Sequence, residues 1–350
     1  MTLYKREQDS LLQTYRRLPI DVAYGKGMYL YDCNGRAYLD FLNGVAVNAL
    51  GYGNEKLVRA INDQTAAYIH VSNYFAQQPQ VELAEKLIQL TGFKRVFFCN
   101  SGTEANEAAL KLARKWGSVK GKSNIVSLQN SFHGRTMGSL SMMSNDDYRD
   151  GFGPFLDGFQ NIPFNDVAAL RSEVSETTAA VIFECIQGEG GIYEISNEFA
   201  SALKELKREL DVLLIADEVQ SGVGRTGKFL ACEHYGLTPD IVTLAKPLGG
   251  GLPLGAMLAS EALQDVLKPG NHGTTFGGNP VACAAGKVVL EEVVDNGLMR
   301  NAEVVGGYFL EKLASIKHDL PDTIKEVRGR GLMIGAELTF PVKTVVDTML

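Results

Sequence analysis

The chain has 350 residues, 45% of them hydrophobic, a formal net charge of -7 and a pI near 5.4. That length exceeds one compact core, so two lobes are expected, and an acidic balance with no basic stripe argues against nucleic-acid binding. No apolar run is long enough to span a membrane and the N-terminus has no signal-peptide core, so a cytoplasmic setting is expected.

Tyr29 to Phe41 alternates apolar and polar positions around Asn34-Gly35, which predicts a hairpin. A glycine-rich stretch, Asn43 to Asn54, leads into a polar helix beginning near Glu55, and Gln80 to Leu90 has helical spacing. Val96 to Cys99 reads as a short strand, followed by Asn100-Ser101-Gly102-Thr103-Glu104 and a helical run from Ala105 to Trp116. Ile125 to Leu128 and Ala179 to Phe183 read as strands, and Ser196 to Glu209 as a helix. Two apolar runs, Val212 to Ala216 and Ile241 to Ala245, have the composition of buried parallel strands, with room for a crossover between them. From about Pro280 a helical pattern continues to Lys317, and Ile324 to Leu338 reads as strand, turn and strand around Arg328-Gly329-Arg330-Gly331. Strands alternating with helices predict an α/β fold. The expected architecture is a large domain, residues 51–275, with a mostly parallel mixed sheet and helices on both faces. Residues 1–50 and 276–350 are expected to form a small α+β lobe, the latter through a linking helix. The five cysteines, Cys33, Cys99, Cys185, Cys232 and Cys283, show no CxxC pair and read as reduced structural thiols, with no metal site.

The apolar runs end on chemistry. Asp217-Glu218-Val219-Gln220 closes the first and Lys246 closes the second. Open α/β sheets bind ligands at the carboxyl ends of their strands. An acid facing an amine there suits pyridoxal phosphate, with the amine holding the aldehyde as a Schiff base and the acid meeting the pyridine nitrogen. Lys246 is followed by Pro247-Leu248-Gly249-Gly250-Gly251-Leu252-Pro253, an apolar setting that lowers an amine pKa and makes it nucleophilic. Ser101-Gly102-Thr103 stands between strand and helix, where backbone N–H groups bind phosphate, although a plain N-cap uses the same residues. Phe132-His133-Gly134-Arg135 offers a ring to stack on a planar cofactor and a guanidinium for a carboxylate, against an ordinary surface loop. His133 suits a general base or a simple hydrogen-bonding role. Thr274 to Pro280 is a polar loop ahead of a helix, with hydroxyls able to meet phosphate or merely to lead the helix. Gly222 to Gly227 satisfies GxGxxG, and Gly222 to Lys228 most of a P-loop, which implies a nucleotide-binding protein as an alternative. Phe229 stands where a P-loop needs Ser or Thr, and Asp217 to Ser221 separates the glycines from the strand, so a Gly-rich turn is the expected outcome.

Ser101-Gly102-Thr103-Glu104-Ala105-Asn106, Phe132-His133-Gly134-Arg135-Thr136, Gln187-Gly188-Glu189-Gly190-Gly191, Asp217-Glu218-Val219-Gln220, Leu244-Ala245-Lys246 and Thr275-Phe276-Gly277-Gly278-Asn279-Pro280 occur in one order along nearly the whole chain. This ordered set resembles the class III aminotransferases, pyridoxal phosphate enzymes of fold type I. Val45 to Gly51, Ser72-Asn73 and the Phe-His-Gly-Arg-Thr block resemble the branch of arginine biosynthesis that acts on N2-acetylornithine. Branches acting on ornithine, succinylornithine and 4-aminobutyrate are its neighbours. The resemblance implies that Lys246 carries the cofactor and moves the substrate proton, and that Asp217 meets the pyridine nitrogen. Val219 would pack on the back of the ring, Phe132 on the front, and Gln220 near the phenolic oxygen, with Glu218 also in the cofactor-binding set. Ser101, Gly102 and Thr103 would hold the phosphate, completed by Thr275 from the second subunit of a homodimer. Arg135 would take the substrate carboxylate, with Glu189 and Thr274 beside the substrate, and 2-oxoglutarate would accept the amino group. Pro247, Gly51-Tyr52-Gly53-Asn54 and Cys185 depart from the family pattern at the substrate side. The family also continues past the position of Leu350, with an Arg for a second carboxylate, so a truncated, weaker relative is a further expectation.

Overall fold

A computed structural model of the chain describes residues 3–349. Its centre is a seven-stranded sheet. The strands in chain order are β1 (Arg95–Cys99), β2 (Asn124–Leu128), β3 (Phe159–Ile162), β4 (Thr178–Phe183), β5 (Leu213–Asp217), β6 (Ile241–Leu244) and β7 (Gly255–Ala259). Their order across the sheet is β1-β7-β6-β5-β4-β2-β3. β7 runs antiparallel to β1 and β6, and the other neighbours pair in parallel. This is the mostly parallel mixed sheet expected from the alternation of strands and helices.

Six helices matter for the site: α1 (Glu55–Ala67), α2 (Gln78–Thr91), α3 (Gly102–Ser118), α4 (Asn197–Leu210), α5 (Pro280–Leu290) and α6 (Leu298–Asp319). Alternation along the strands sends side chains to both faces of the sheet. Ile125, Ile182, Ile215 and Ile241 pack with Ala108, Ala109 and Leu112 of α3. Phe183, Leu214, Ala216 and Val242 point the other way and pack with Phe199 and Leu203 of α4. Two of these helices start on a side-chain cap of the kind the sequence offers. Ser196 caps α4 by accepting the Phe199 N–H at 3.1 Å, and Asn279 caps α5 by accepting the Val281 N–H at 2.9 Å.

The hairpin expected around Asn34-Gly35 is present, with Tyr31 paired to Ala37, inside a three-stranded antiparallel sheet that begins at Val22. Near the other end, Ile324–Arg330 pairs with Met333–Leu338 and packs against α6. One expectation changes. The helical pattern from Pro280 to Lys317 is two helices, because Asn296 and Gly297 interrupt it and Gly297 takes φ +80°. A left-handed glycine ends one helix and redirects the chain. β3 and β7 had no clear signal in the sequence. β5 and β6 pair in parallel, so the chain between them crosses over as expected, through a turn and a short 3₁₀ segment, Ala231–Tyr235.

Candidate active site

Asp217 is the last residue of β5 and pairs in register with Thr243 of β6, three residues before Lys246. The acid and the amine therefore leave adjacent parallel strands at their carboxyl ends. Lys246 takes φ +47°, a strained conformation for a residue with a side chain. Exits of other strands reach the same place: β1 leads into α3 at Ser101-Gly102-Thr103, β2 into Phe132 to Arg135, and β4 into Glu184 and the turn holding Glu189. Ser101, Gly102, Thr103, Phe132, Arg135, Glu189, Asp217, Val219, Gln220 and Lys246 all line one cavity of about 430 Å³.

Asp217 is buried and held from three sides. Its Oδ2 accepts from His133 Nδ1 at 2.7 Å and from Asn106 Nδ2 at 2.8 Å, and its Oδ1 accepts the Val219 N–H at 3.0 Å. A carboxylate only accepts, so the His133 proton sits on Nδ1. Burial opposes charge on His133, but the bond to Asp217 and the nearby Glu184 outweigh it and hold its pKa above the usual imidazole range. The opposite ring nitrogen, Nε2, is buried with no hydrogen-bond partner among the described residues. Asn106 is fixed in turn, donating to the His133 carbonyl at 2.8 Å and accepting from Thr243 Oγ1 at 2.8 Å.

The Lys246 amine faces Asp217, Glu189 and Glu184 by charge, yet burial dominates and lowers its pKa. A larger neutral, nucleophilic fraction results. At the start of α3, Ser101 Oγ accepts the Glu104 N–H at 3.3 Å. The Gly102 and Thr103 N–H groups belong to the first turn, which has no internal partners to offer them. A Cβ on Gly102 would lie 2.6 Å from Val219 Cγ1, so glycine alone lets that helix start approach Val219. An acid suited to a ring nitrogen, a lysine amine suited to an aldehyde and an open helix start suited to phosphate thus share one cavity. The residues present fit pyridoxal phosphate.

Other expected residues lie elsewhere. Glu218, expected in the cofactor set, turns away from the cavity because consecutive residues of an extended chain point to opposite sides. It accepts from Ser221 Oγ at 2.6 Å and from the Ala231 and Cys232 N–H groups at 2.9 and 2.8 Å, and so anchors the connection that follows. Thr274 accepts from Asn100 Nδ2 at 3.2 Å and lines a separate cavity with Phe97, Phe98 and His272. Thr275 is exposed, outside the cavity of its own chain. The Gly222 to Lys228 turn does not form a phosphate cradle. A Cβ on Gly224 would meet Val293 Cγ1 at 2.7 Å and one on Gly227 would meet Glu303 Cβ at 3.0 Å, so the turn is packed against neighbouring side chains. No α-helix starts behind it to receive a phosphate. The nucleotide-binding alternative is therefore set aside.

Sequence reasoning assigned no part to Asn106 or Glu184. Asn106 carries a detectable signal, a buried polar residue on an α3 face of alanines and leucines. Glu184 carries none beyond its place at the end of a strand. It is 5% exposed, and its two oxygens accept the Phe132 and Gly188 N–H groups at 2.9 and 3.2 Å.

A family model described as Aminotransferase class-III matches residues 12–349. The acetylornithine aminotransferase of Methanocaldococcus jannaschii is 47% identical over 344 residues, covering 97% of this chain and 86% of that protein. The acetylornithine aminotransferase of Aquifex aeolicus is 48% identical, covering 96% and 88%. Among solved structures, the ornithine aminotransferase of Toxoplasma gondii ME49 superposes with a TM-score of 0.92 at 34% identity, covering 97% of this chain and 82% of that one. A second structure of the Toxoplasma gondii enzyme, with PLP at partial occupancy in its active site, gives a TM-score of 0.91 at 36% identity, covering 96% and 81%.

Proposed function

The chain belongs to the class III aminotransferases, pyridoxal phosphate enzymes that take an amino donor and a keto acid, and from that membership we propose that it moves the terminal amino group of N2-acetylornithine to 2-oxoglutarate. The products are N-acetylglutamate 5-semialdehyde and glutamate, a step of arginine biosynthesis. The observation that carries this reading is the convergence of Asp217, Lys246, the start of α3 and Arg135 on one cavity. Identity of 47% to an acetylornithine aminotransferase, against 34% to an ornithine aminotransferase, supports the choice of donor.

When bound, pyridoxal phosphate supplies an electrophilic aldehyde and a protonated ring that disperses negative charge. Asp217 holds the proton at the ring nitrogen, oriented by His133, Asn106 and the Val219 N–H. Lys246 holds the aldehyde covalently. With the cofactor bound, the Lys246 Nζ would serve as the base that takes the proton from the carbon carrying the donor's amine, and then as the acid that delivers it. The lowered pKa keeps part of this amine neutral, as a base must be. The Gly102 and Thr103 N–H groups bind the phosphate with Ser101, and Thr275 of a second subunit completes that site. Phe132 and Val219, which line the cavity, would cover the two faces of the ring, and Gln220 would serve its phenolic oxygen. Arg135 takes the substrate carboxylate, Glu189 lines the pocket, and Thr274, bonded to Asn100 of the cavity wall, lies near the substrate. The two chain ends form a small lobe, residues 3–50 on one side and, on the other, the residues that follow the linking helix α5.

The test is a panel of N2-acetylornithine, N-succinylornithine, ornithine and 4-aminobutyrate with 2-oxoglutarate, read by glutamate formation. N2-acetylornithine is expected to give the highest kcat/KM, and Lys246→Ala to lose at least about 10³-fold in kcat. Faster turnover of another donor overturns the substrate reading. Undiminished turnover by Lys246→Ala overturns the role of the lysine.

A further inference from the structure

We propose that Tyr148 is a positioning residue that orders the Arg135 guanidinium for substrate carboxylates and so favours carboxylate-bearing donors. This rests on the reading of Arg135 as the carboxylate fork.

Arg135 is exposed, and no acidic side chain of the described residues pairs with it. A long side chain free in solvent must lose much rotamer freedom when it grips a ligand, and that loss weakens binding unless the free protein already restricts it. Here two aromatic rings restrict it. The Arg135 Cζ lies 3.9 Å from the Tyr148 ring centroid and 5.4 Å from that of Phe132. The Tyr148 and Phe132 rings meet edge to face, with centroids 5.6 Å apart and planes at 87°. The negative face of a ring attracts a guanidinium stacked upon it. Stacking uses the face of the planar cation and leaves its N–H edges free, and those edges are what a carboxylate binds in the two-pronged mode.

Tyr148 is itself well placed to act as a support. It sits on the short helix Asp146–Arg149, which Asn145 caps by accepting the Asp147 N–H at 3.0 Å. The same segment is tied to the Phe132 loop, since Asn130 donates its N–H to Ser144 Oγ at 3.2 Å. Tyr148 also walls a recess of about 130 Å³ that includes Glu189 and Asn145. Tyr148 thus touches the guanidinium and shares a recess with Glu189, the other charged group expected at the substrate. In this arrangement the distance from the ring-stacking Phe132 to the carboxylate fork is set by contact between side chains. No charge pair is needed, so the fork meets a substrate uncompensated.

The experiment uses the holoenzyme and two readouts. One is calorimetric binding of glutarate, a dicarboxylate with neither amine nor keto group. The other is KM and kcat for carboxylate donors and for 1,4-diaminobutane, which has no carboxylate. Tyr148→Leu is expected to weaken glutarate binding about three- to tenfold and raise KM for carboxylate substrates similarly, with kcat and the diamine little changed. Tyr148→Phe keeps the ring and is expected to match the wild type, a comparison that stands even if the leucine variant folds poorly. Unchanged glutarate affinity in Tyr148→Leu, with weakened affinity in Arg135→Leu, overturns the role of Tyr148 and leaves the fork in place. Unchanged affinity in Arg135→Leu overturns the fork and this proposal with it. An equal loss toward the diamine marks a general structural role and overturns it too, as does a Tyr148→Phe variant as weak as Tyr148→Leu.

Discussion

Glu184 and Asp217 leave neighbouring parallel strands, and both carboxyls are buried beside the same imidazole. Their partners differ. Asp217 receives two side-chain donors and one backbone N–H, whereas Glu184 receives two backbone N–H groups. Burial, and after it the Asp217 charge, push Glu184 up to about 7. In the unfolded chain a glutamate titrates near ~4.3. The native state therefore binds the extra proton between these values, and stability falls as pH rises through that window. The contribution is present in full at the acid end and is lost above the native value. Glu184→Gln removes this titration, and with it the part of the His133 shift that the Glu184 charge supplies. The stability of the wild type relative to this variant is expected to fall on the order of 1–3 kcal/mol between about pH 4.3 and 7. Urea denaturation at several pH values across that range checks it, and parallel stability curves would refute it. The sequence could not show any of this, since nothing in Phe183-Glu184-Cys185 separates this acid from a solvated one.

The start of α3 is the element on which the proposed phosphate binding rests. Ser101 caps it, and Gly102 keeps its first turn clear of Val219. Alanine is a better helix former than glycine, so Gly102→Ala leaves intrinsic helix stability intact. The added Cβ instead presses Val219 toward the ring face. Cofactor affinity is expected to fall at least about tenfold, roughly 1.4 kcal/mol, with little change in the apoprotein melting temperature. A pyridoxal phosphate titration followed by absorbance decides it, and wild-type affinity would sink the idea. At this scale the sequence was informative where signals were local. The cap residues and the Asn34-Gly35 turn foretold their elements. β7 was hidden because Gly-Ala-Met-Leu-Ala has no β-branched residue, and its strand character comes from being buried between β1 and β6. The break at Asn296-Gly297 was masked by apolar spacing that continues across it.

For the whole molecule, Thr275 and Phe276 lie outside the cavity of their own chain. Phe276 is 59% exposed and its ring meets that of His70 at 5.3 Å, tilted by 51°, while Tyr74 and Phe75 are 94% and 66% exposed. Apolar rings so exposed mark an association surface, which agrees with the proposal of a homodimer sharing its phosphate sites. Phe276→Glu places a charge on that surface. It is expected to shift the protein toward monomer in analytical ultracentrifugation and to lower activity at least about tenfold, because burying an unpaired charge is costly. A dimeric, fully active variant would show that this surface is not the interface.

Asp217, Lys246 and the glycine-leading helix start were readable from the order of residues, because each is a local event: a polar residue closing an apolar strand, or a capped turn. The first two pointed to the cofactor, the alternation of strands and helices to the α/β sheet, and the class of reaction came from the resemblance of the ordered motif set to the class III aminotransferases. The register of β5 against β6, the inward turn of Asp217 with Glu218 turned away, and the clustering of His133, Asn106 and Glu184 about one carboxylate required the folded chain. These groups lie far apart in sequence, and only burial in a common edge of the sheet gives them hydrogen-bond partners and shifted proton affinities. The stacking of Arg135 on Tyr148 belongs with them, since it too depends on two loops that meet only in three dimensions.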